Sequence, residues 1–411
     1  MGLADVSRVG RVARIFQTVL MMSFDFDTPV PLRGTHCSKY DGIDAAFGRD
    51  DPEIIPMWVA DMDFRAAPQI LDAVQREIDR GVLGYFNNPK PVMETVANWY
   101  KAQHGWAVDP ACIRFTHGVI GGYGVALETV TEPGDGVIVF SPVYHAFFRQ
   151  IEAMGRVAVE SPLVLKDGIY HMDLEALGRS LTGSERAVTL CTPHNPGGRI
   201  WTPEELRAVA AFCKEHDLIL ISDEIHMDLT FPGEVFTPTC VAAPDCADRL
   251  VVLTAASKGF NLAGGETGLI LVPDEALRRR IDTVMLDREA TPNRFGALMT
   301  QAAFGECADW SQAVRAYIAD NFRVFEERLN AIPGVTVMPM KATYLAWADF
   351  NDLGMSDDEL ITRMLDAKVA PNKGPTFRHG GSGHLRFNLA LPRPTMLEAI
   401  SRIEAAFSDL Q

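Results

Sequence analysis

The middle of the chain alternates short apolar, β-branched runs with segments of helical periodicity, and this alternation constrains the fold more than any other feature. Between two of the runs, the segment 203–216 repeats apolar residues at helical spacing. Thr202 and Glu205 at its start predict a helix N-terminus with a capping box. Strands that are apolar throughout and alternate with helices form a largely parallel sheet covered on both faces, so the predicted fold class is α/β. The predicted strands are 136–142, 187–193, 218–224, 249–255 and 268–273.

The later part of the chain has a different pattern. A long helix is predicted at 311–332, and shorter strand-like runs lie at 343–350 and 384–390. This pattern predicts a smaller α+β domain that also recruits the N-terminal segment. The predicted organisation is an extension at 1–22, a segment joining the small domain at 23–65, a large domain at 66–304 and a small C-terminal domain at 305–411.

The first 22 residues are interpreted separately from the folded body. Three arginines precede a short apolar run at 15–22, which superficially resembles a signal peptide. Gln17 interrupts the run, and no small-residue cleavage site follows before Phe24. We favour a dispensable extension with Met21 or Met22 as the functional start. A short amphipathic helix is the alternative.

Charge and cysteine usage exclude several classes of function. The net charge of −16 and a pI near 5.1 describe an acidic surface that repels nucleic-acid phosphates and anionic lipids. The seven cysteines are scattered and include no C-x₂-C pair, which argues against a disulfide framework and a structural metal site. No stretch reaches the roughly 20 apolar residues that would cross a bilayer. We expect a cytoplasmic protein without a metal ion.

Two charged residues lie where predicted strands end. Lys258 belongs to a glycine-containing loop at 254–265, where a lysine can project into a cleft and become nucleophilic through burial. A solvated surface lysine is the alternative. Asp223 lies at the end of the strand 218–224, where a buried carboxylate needs a cation such as a protonated pyridine nitrogen. The N-cap of a following helix is the alternative.

Two further polar residues have the character of ligand-binding groups. Asn195 lies between two prolines in the turn at 191–206, with its amide free to donate to a ligand oxygen. A plain strand-to-helix turn is the alternative. Arg386 lies in the strand-like run 383–393, where a guanidinium can bind a substrate carboxylate through two parallel hydrogen bonds. A structural salt bridge is the alternative.

The order of these four residues is typical of a known class of enzyme. The chain resembles a fold-type I enzyme dependent on pyridoxal 5′-phosphate (PLP), in the aminotransferase class I/II superfamily. It is similar in particular to the cystathionine β-lyase, or C–S lyase, branch known as the MalY/PatB group. The resemblance extends from Phe24 to the C-terminus. It rests on MWVADMDF (57–64), GYFNNP (84–89), SPVYHAFF (141–148), SDEIHMDL (222–229) and SKGFNLAGG (257–265).

The resemblance implies a role for each matching residue. Lys258 is implied to hold PLP as a Schiff base, and Asp223 to pair with its pyridinium nitrogen. Asn195 is implied to donate to the 3′-oxygen of the cofactor. Tyr144 is implied to stack on the pyridine ring, with a core tyrosine as the alternative. Arg386 is implied to bind the α-carboxylate of an amino-acid substrate.

The resemblance also implies a phosphate site and a dimer. The phosphate is expected on the backbone N–H groups of Gly118, Val119 and Ile120 at the start of a helix, with help from Ser257. Tyr85 is implied to reach in from the neighbouring subunit. That role implies a homodimer with shared active sites.

Two departures from the superfamily pattern affect these expectations. Many class I aminotransferases bind the phosphate with an arginine eight positions after the lysine, where this chain has Glu266. The C–S lyase branch commonly lacks that arginine, so Glu266 is expected to point away from the phosphate or to be paired. Arg294 is a candidate compensating cation, with a surface salt bridge as the favoured alternative. His226 replaces the usual tyrosine, is typical of the lyase branch, and is included among the cofactor-binding residues.

The resemblance implies α,β-elimination on an amino acid that carries sulfur at Cβ. Lys258 is implied to remove the Cα proton, after which the thiol leaves and pyruvate and ammonia are released. From cystathionine, the thiol would be homocysteine. Two alternatives stay open at this point: an aminotransferase on the same scaffold, and a regulatory protein that acts through protein–protein contacts.

Overall fold

The computed structural model describes residues 24–290 and 292–410, so the predicted extension at 1–22 lies outside the described residues. The described part of the chain forms fourteen strands. These are β1 (Ile55–Met57), β2 (Ile113–His117), β3 (Gly136–Ser141), β4 (Val157–Pro162), β5 (Val164–Lys166), β6 (Ile169–His171), β7 (Glu185–Cys191), β8 (Ile219–Asp223), β9 (Leu250–Thr254), β10 (Thr267–Leu271), β11 (Thr336–Val337), β12 (Leu345–Asp349), β13 (Val369–Lys373) and β14 (His384–Asn388).

Seven strands form a large, mostly parallel sheet in the order β2-β10-β9-β8-β7-β3-β4. The neighbouring strands from β9 to β4 pair in parallel, whereas β10 runs antiparallel to both β9 and β2. The five predicted strands correspond to β3, β7, β8, β9 and β10, and the α/β fold class is confirmed. The reversed direction of β10 was not predicted, because an apolar run does not indicate which way a strand points.

Both faces of the large sheet are buried, which explains why its strands are apolar throughout. Along β9, Leu250 and Val252 pack into one hydrophobic cluster, and Val251 and Leu253 pack into another. Successive side chains of a strand point to opposite faces, so the two clusters lie on opposite sides of the sheet. A strand between two apolar layers needs no polar face.

Helices supply the layers that cover the sheets. Helix Pro203–Glu215 begins with the predicted capping box, in which Thr202 Oγ1 accepts from the Glu205 N–H at 3.2 Å and the Glu205 carboxylate accepts from the Thr202 N–H at 2.9 Å. No helix in the described residues is both long and apolar enough to cross a membrane. The α-helices are Ser38–Asp41, Ile43–Phe47, Pro68–Arg80, Lys90–His104, Gly118–Val130, Ala146–Ala153, Leu174–Ser180, Pro203–Glu215, Thr239–Ala242, Ala256–Gly259, Glu275–Asp287, Arg294–Glu306, Ala308–Leu329, Asp357–Asp366 and Arg393–Ala406.

A second sheet contains five strands in the order β1-β13-β14-β12-β11. Because β1 pairs in parallel with β13, the N-terminal segment contributes to a sheet that otherwise belongs to the C-terminal part of the chain. Helix Ala308–Leu329, predicted at 311–332, packs against helix Arg393–Ala406 beside this sheet. The exact division of the chain into domains stays a prediction.

Candidate active site

The carboxyl ends of four parallel strands meet at one cavity. Strands β3, β7, β8 and β9 end at the same edge of the large sheet, which is where ligands bind in open α/β folds. The cavity has a volume of about 310 Å³, at the lower end of the range of about 300–1,000 Å³ for small-molecule sites. Its walls are Ala60, His117, Gly118, Val119, Ile120, Tyr144, Cys191, Asn195, Asp223, Ile225, His226, Ser257, Lys258, Ala263, Glu266 and Thr267.

Most of the predicted site residues line this cavity. Eight of the ten do so: Lys258, Asp223, Asn195, Tyr144, Val119, Ile120, Ser257 and His226. The other two are Arg386, which reaches the cavity through Asn195, and Tyr85, which lies elsewhere on the surface. A larger open groove of about 1000 Å³ beside helix Asp357–Asp366 contains none of the ten.

Lys258 lies in the short helix that follows β9 and presents its amine to the cavity. Its Nζ donates a hydrogen bond to the backbone oxygen of Ala60 at 2.6 Å. Burial lowers the pKa of the Lys258 amine to about 8, although the carboxylates of Asp61 and Asp223 favour the charged form. An amine with this pKa is partly neutral at moderately alkaline pH, so it can act as a nucleophile or a base.

Asp223 is the last residue of β8, and its carboxyl group is buried. One oxygen accepts from the Ile225 N–H at 3.1 Å, and no cation among the described residues forms an ion pair with it. Burial therefore raises the pKa of Asp223 to about 7. The helix-cap alternative does not hold, because the next helical turn begins at Met227 with His226 as its N-cap.

Arg386 lies in β14, and its guanidinium is buried beside Asn195. Nη1 donates to Asn195 Oδ1 at 3.1 Å, and Nη2 donates to the backbone oxygen of Trp58 at 2.7 Å. Nε is buried without a hydrogen-bond partner, and no carboxylate of the described chain pairs with this cation. Burial lowers the pKa of Arg386 to about 10. The salt-bridge alternative is thus excluded for the described residues, and donors are left for an anionic ligand.

Two aromatic side chains complete the walls around Asp223. The Tyr144 N–H donates to the backbone oxygen of Asn195 at 3.1 Å, and its ring meets that of Phe147 edge-on at 5.8 Å between centroids. Burial lowers the pKa of His226 well below its ordinary value, so the imidazole is neutral. His226 Nδ1 is buried without a partner in the described chain, a costly arrangement that points to a ligand in this cavity.

The start of helix Gly118–Val130 forms another part of the wall. The first N–H groups of a helix have no partner within the helix and attract anions. The N–H of Gly118, however, donates to the backbone oxygen of Glu266 at 3.1 Å. The predicted role of Gly118 is therefore wrong, because the pairing of β10 with β2 continues up to this residue. Val119 and Ile120 keep the predicted donors.

Glu266 differs from what the sequence suggested, whereas Arg294 forms the kind of contact that the sequence favoured. Glu266 lines the cavity, and none of the ion pairs formed by the described residues includes it, contrary to the expectation that it points away or is paired. Arg294 instead donates to buried Glu77 at 2.5 Å, and to the backbone oxygens of Gly84 and Tyr85 at 2.9 Å each. The salt-bridge alternative is thus correct for Arg294, although its partner is buried.

Tyr85 lies in a stretch without regular secondary structure, and its side chain is fully exposed. Leu71, Ile78, Val82 and Leu83, close to it in the sequence, are exposed apolar residues too. A single chain therefore does not bring Tyr85 to its own cavity.

The backbone of the segment MWVADMDF takes part in the site, which the sequence did not predict. Ala60 lines the cavity, and its oxygen accepts from both Lys258 Nζ and the Tyr344 hydroxyl, the latter at 3.0 Å. Cys191 and Thr267 were missed as well, because neither has a distinctive neighbouring pattern. For Ala60, the available signal was the pair of aspartates in an otherwise apolar segment that fits neither helix nor strand periodicity.

The fold and the site together define the class of the protein. A covered α/β sheet whose strand ends bring a lysine, a buried carboxyl and an arginine to one cavity is the arrangement expected of class I and II aminotransferases. The chain belongs to this family: the family model for aminotransferase class I and II matches residues 52–403.

Individual relatives place the chain near carbon–sulfur lyases. Cystathionine β-lyase PatB of Bacillus subtilis (strain 168) is 38% identical over 391 residues, which cover 93% of this chain and 100% of PatB. Cystalysin of Treponema denticola, whose structure contains PLP, is 31% identical with a TM-score of 0.91, covering 95% of this chain and 100% of cystalysin. The PLP-bound C–S lyase of Staphylococcus hominis is 29% identical with a TM-score of 0.88, covering 94% and 98%.

Proposed function

We propose that the protein is a PLP-dependent carbon–sulfur β-lyase that converts cystathionine, or a related cysteine S-conjugate, and one water molecule to a thiol, pyruvate and ammonia. One observation carries the proposal. A single cavity joins the Lys258 amine to the buried Asp223 carboxyl and, through Asn195, to the buried guanidinium of Arg386. Relatives named cystathionine β-lyase and C–S lyase support the same reaction.

The groups around the cavity fit PLP. Asp223 forms no ion pair with a cation among the described residues, and a protonated pyridine nitrogen is a suitable partner. Lys258 has the lowered pKa that suits a lysine for bonding to an aldehyde. The N–H groups of Val119 and Ile120 suit a phosphate. Bound PLP supplies an electron sink that makes the Cα proton of an amino acid acidic.

Lys258 is the base in this proposal. Its Nζ takes the proton from the substrate Cα, and the Ala60 oxygen at 2.6 Å fixes the position of the amine. Asp223 keeps the pyridine nitrogen protonated, since a buried carboxylate strongly favours a cation beside it. Removal of that partner would weaken both cofactor binding and the electron sink.

Arg386 binds the α-carboxylate of the substrate. Its guanidinium plane is fixed by Asn195 Oδ1 and by the Trp58 oxygen, while Nε and the second hydrogens of both Nη atoms stay available. A fixed guanidinium orients the substrate so that its Cα–H bond faces Lys258. The Asn195 oxygen is occupied, so its Nδ2 is the atom that donates to the 3′-oxygen of the cofactor.

The N–H groups of Val119 and Ile120 and the Ser257 hydroxyl would hold the phosphate of the cofactor. Glu266 lies on the same cavity wall, and its carboxylate repels a phosphate. A further donor would offset this repulsion. Tyr85 of the partner subunit supplies that donor in a homodimer with shared sites.

Two observations support the dimer. Tyr85 is fully exposed beside other exposed apolar residues, and Arg294 donates a hydrogen bond to its backbone oxygen at 2.9 Å.

The test of the shared site mixes Tyr85→Phe chains with Lys258→Ala chains. In a hybrid, the chain that keeps Lys258 receives an intact tyrosine, so activity should exceed that of either parent. No gain after confirmed subunit exchange would exclude the shared site.

We also propose a cytoplasmic location. All seven cysteines of the chain are free thiols, as expected in a reducing compartment. Cell fractionation with an antibody against the protein tests this, and recovery in an extracytoplasmic fraction would refute it.

The reaction itself is tested with purified holoprotein and a panel of amino acids, without any added 2-oxo acid. Cystathionine or another cysteine S-conjugate should give pyruvate and thiol in equal amounts, and Lys258→Ala should give neither. Amino-group transfer that occurs only with an added 2-oxo acid would replace the lyase by an aminotransferase.

A further inference from the structure

Residues 58–61 form a short stretch of irregular backbone whose successive carbonyl oxygens accept hydrogen bonds from the site. The Trp58 oxygen accepts from Arg386, and the Ala60 oxygen accepts from Lys258. The intervening oxygen of Val59 and that of Asp61 accept from Asn388 Nδ2 at 2.7 and 2.5 Å. The conformation of this stretch therefore sets the distance between the amine and the guanidinium.

Lys39 anchors this stretch from behind. Its side chain is only 1% exposed, and its Nζ lies 2.7 Å from a carboxylate oxygen of Asp61 and 2.7 Å from one of Asp63. It also donates to the Asp61 backbone oxygen at 3.0 Å, and its own backbone oxygen accepts from Trp58 Nε1 at 2.9 Å. The Tyr40 hydroxyl donates to the second oxygen of Asp63 at 2.8 Å.

A buried ion cluster of this kind needs an explanation other than stability. Taking charges out of water costs several kcal/mol per ion, and apolar residues of similar volume often stabilise a fold equally well. Burial pulls the pKa of Lys39 down, but Asp63 and Asp61 outweigh this effect and hold it above its ordinary value. The ammonium is therefore charged next to the active site.

The cluster also contributes to the charge that surrounds Lys258. Asp61 favours the ammonium form of Lys258, and Lys39 opposes it. One carboxylate and one ammonium of the same cluster thus act on the amine in opposite directions. The charged groups that act on Lys258 are Asp61 and Lys39 from the N-terminal segment, Asp223 from the end of β8, and Arg386 from β14. The other titratable groups around the amine are the Tyr344 hydroxyl, which shares the Ala60 oxygen with it, and the cavity-lining residues His226, which is neutral, His117, Tyr144, Cys191 and Glu266.

We propose that Lys39 is a positioning residue for the reaction. By neutralising Asp61 and Asp63, it holds the backbone at 58–61 in the conformation that aligns Lys258 with Arg386. It also limits the negative charge around the Lys258 amine. The inference rests on the proposed function only for the roles of Lys258 and Arg386. It assigns to Lys39 no contact with substrate or cofactor.

The test measures the Lys258 amine in cofactor-free protein, by competitive acetylation across pH and mapping of the labelled peptide. Lys39→Met keeps most of the side-chain volume and removes the charge, so the pKa of Lys258 should rise, on the order of one pH unit. Asp61→Asn removes a negative charge and should lower it. Lys368→Met, which breaks an ion pair with Asp51 away from the cavity, is the matched control and should change nothing.

Steady-state kinetics give a second readout in the holoprotein. Lys39→Met should lower kcat/KM for the sulfur amino acid by about 10- to 100-fold, because a misaligned base and carboxylate site lose rate steeply with small displacements. Lys368→Met should keep the wild-type value. If wild type releases no pyruvate, the proposed function fails, but the acetylation measurement still decides the charge effect.

Equal pKa values for Lys258 in wild type, Lys39→Met and Asp61→Asn would overturn the proposal. Shifts of the Lys258 pKa in the same direction in both variants would also overturn the proposal. Such a result would indicate general loosening of the fold, whereas the proposal expects the two variants to shift this pKa in opposite directions. If Lys39→Met does not fold, Lys39→Gln, which is also uncharged but can still donate a hydrogen bond, takes its place: an unchanged pKa of Lys258 in that variant refutes the proposal, and a raised one supports it.

Discussion

Replacement of Asp223 by Asn should stabilise the cofactor-free protein and impair the holoprotein. Burial raises the pKa of Asp223 to about 7 from an ordinary 3.8, so ionising it in the fold costs about 4 kcal/mol more than in water. Below pH 3.8 the carboxyl is protonated in both the folded and the unfolded protein. Between 3.8 and 7 only the unfolded chain ionises, so the stability contributed by this group falls as pH rises.

The asparagine side chain does not titrate and keeps an oxygen for the Ile225 N–H. Cofactor-free Asp223→Asn should therefore exceed wild type in unfolding free energy by about 1.5 kcal/mol at pH 5 and about 4 kcal/mol at pH 8. Urea unfolding monitored by tryptophan fluorescence at both pH values measures the two gaps. Asp245→Asn, at an exposed carboxyl, is the control and should show no pH-dependent gap.

The holoprotein should respond in the opposite direction. Loss of one preorganised electrostatic partner costs on the order of 10²–10³ in rate, and the variant should also release PLP more readily. Equal unfolding free energies of cofactor-free wild type and Asp223→Asn at pH 5 and at pH 8 would refute the conclusion that burial raises the pKa of Asp223. Wild-type turnover by the variant would refute its catalytic role.

Three other changes give distinct outcomes. Arg386→Lys should lower kcat/KM for cystathionine on the order of 10²-fold, because an ammonium cannot form the bidentate pair with a carboxylate. The same variant should turn over cysteamine, which lacks the carboxylate, no worse than wild type does. Equal losses of activity on both compounds would mean that Arg386 has only a structural role. Thr202→Ala should lower the unfolding free energy by about 1 kcal/mol without changing kcat, since it removes a helix cap; a change in kcat would contradict this reading. Removal of residues 1–21 should leave activity and dimer formation unchanged, because the family model matches residues 52–403 and the sequence resemblance begins at Phe24; a loss of either in a gel-filtration and activity assay would contradict it.

The sequence predicted those parts of the fold that depend on local pattern. The apolar runs of β3 and β9 and the capping box at Thr202 are set by residues adjacent in the chain, and the structure confirms them. The direction of β10 depends on its neighbours in the sheet and is invisible in its own residues. The same limit explains why the phosphate-binding role predicted for Gly118 is wrong. Its N–H donates to the backbone oxygen of Glu266, which is far away in the sequence.

The candidate site was predictable where a residue follows a strand of the parallel sheet. Asp223 and Lys258 are such residues, since parallel strands deliver their carboxyl ends to one edge. Lys39 and Ala60 were not predictable, because they act through a buried ion cluster and a backbone oxygen that leave no periodic signal. Arg294 forms the ion pair that the sequence favoured, but its partner was not predictable, because Glu77 is buried in another helix.

The most direct test of the account is reduction of the holoprotein with borohydride, followed by digestion and peptide mapping by mass spectrometry. The Lys258 amine, which faces the cavity and has its pKa lowered to about 8, should carry the reduced cofactor. Asp223→Asn should carry less of it at the same cofactor concentration. Reduced cofactor on any other lysine, including buried Lys39, would contradict the central claim that Lys258 holds PLP and removes the Cα proton.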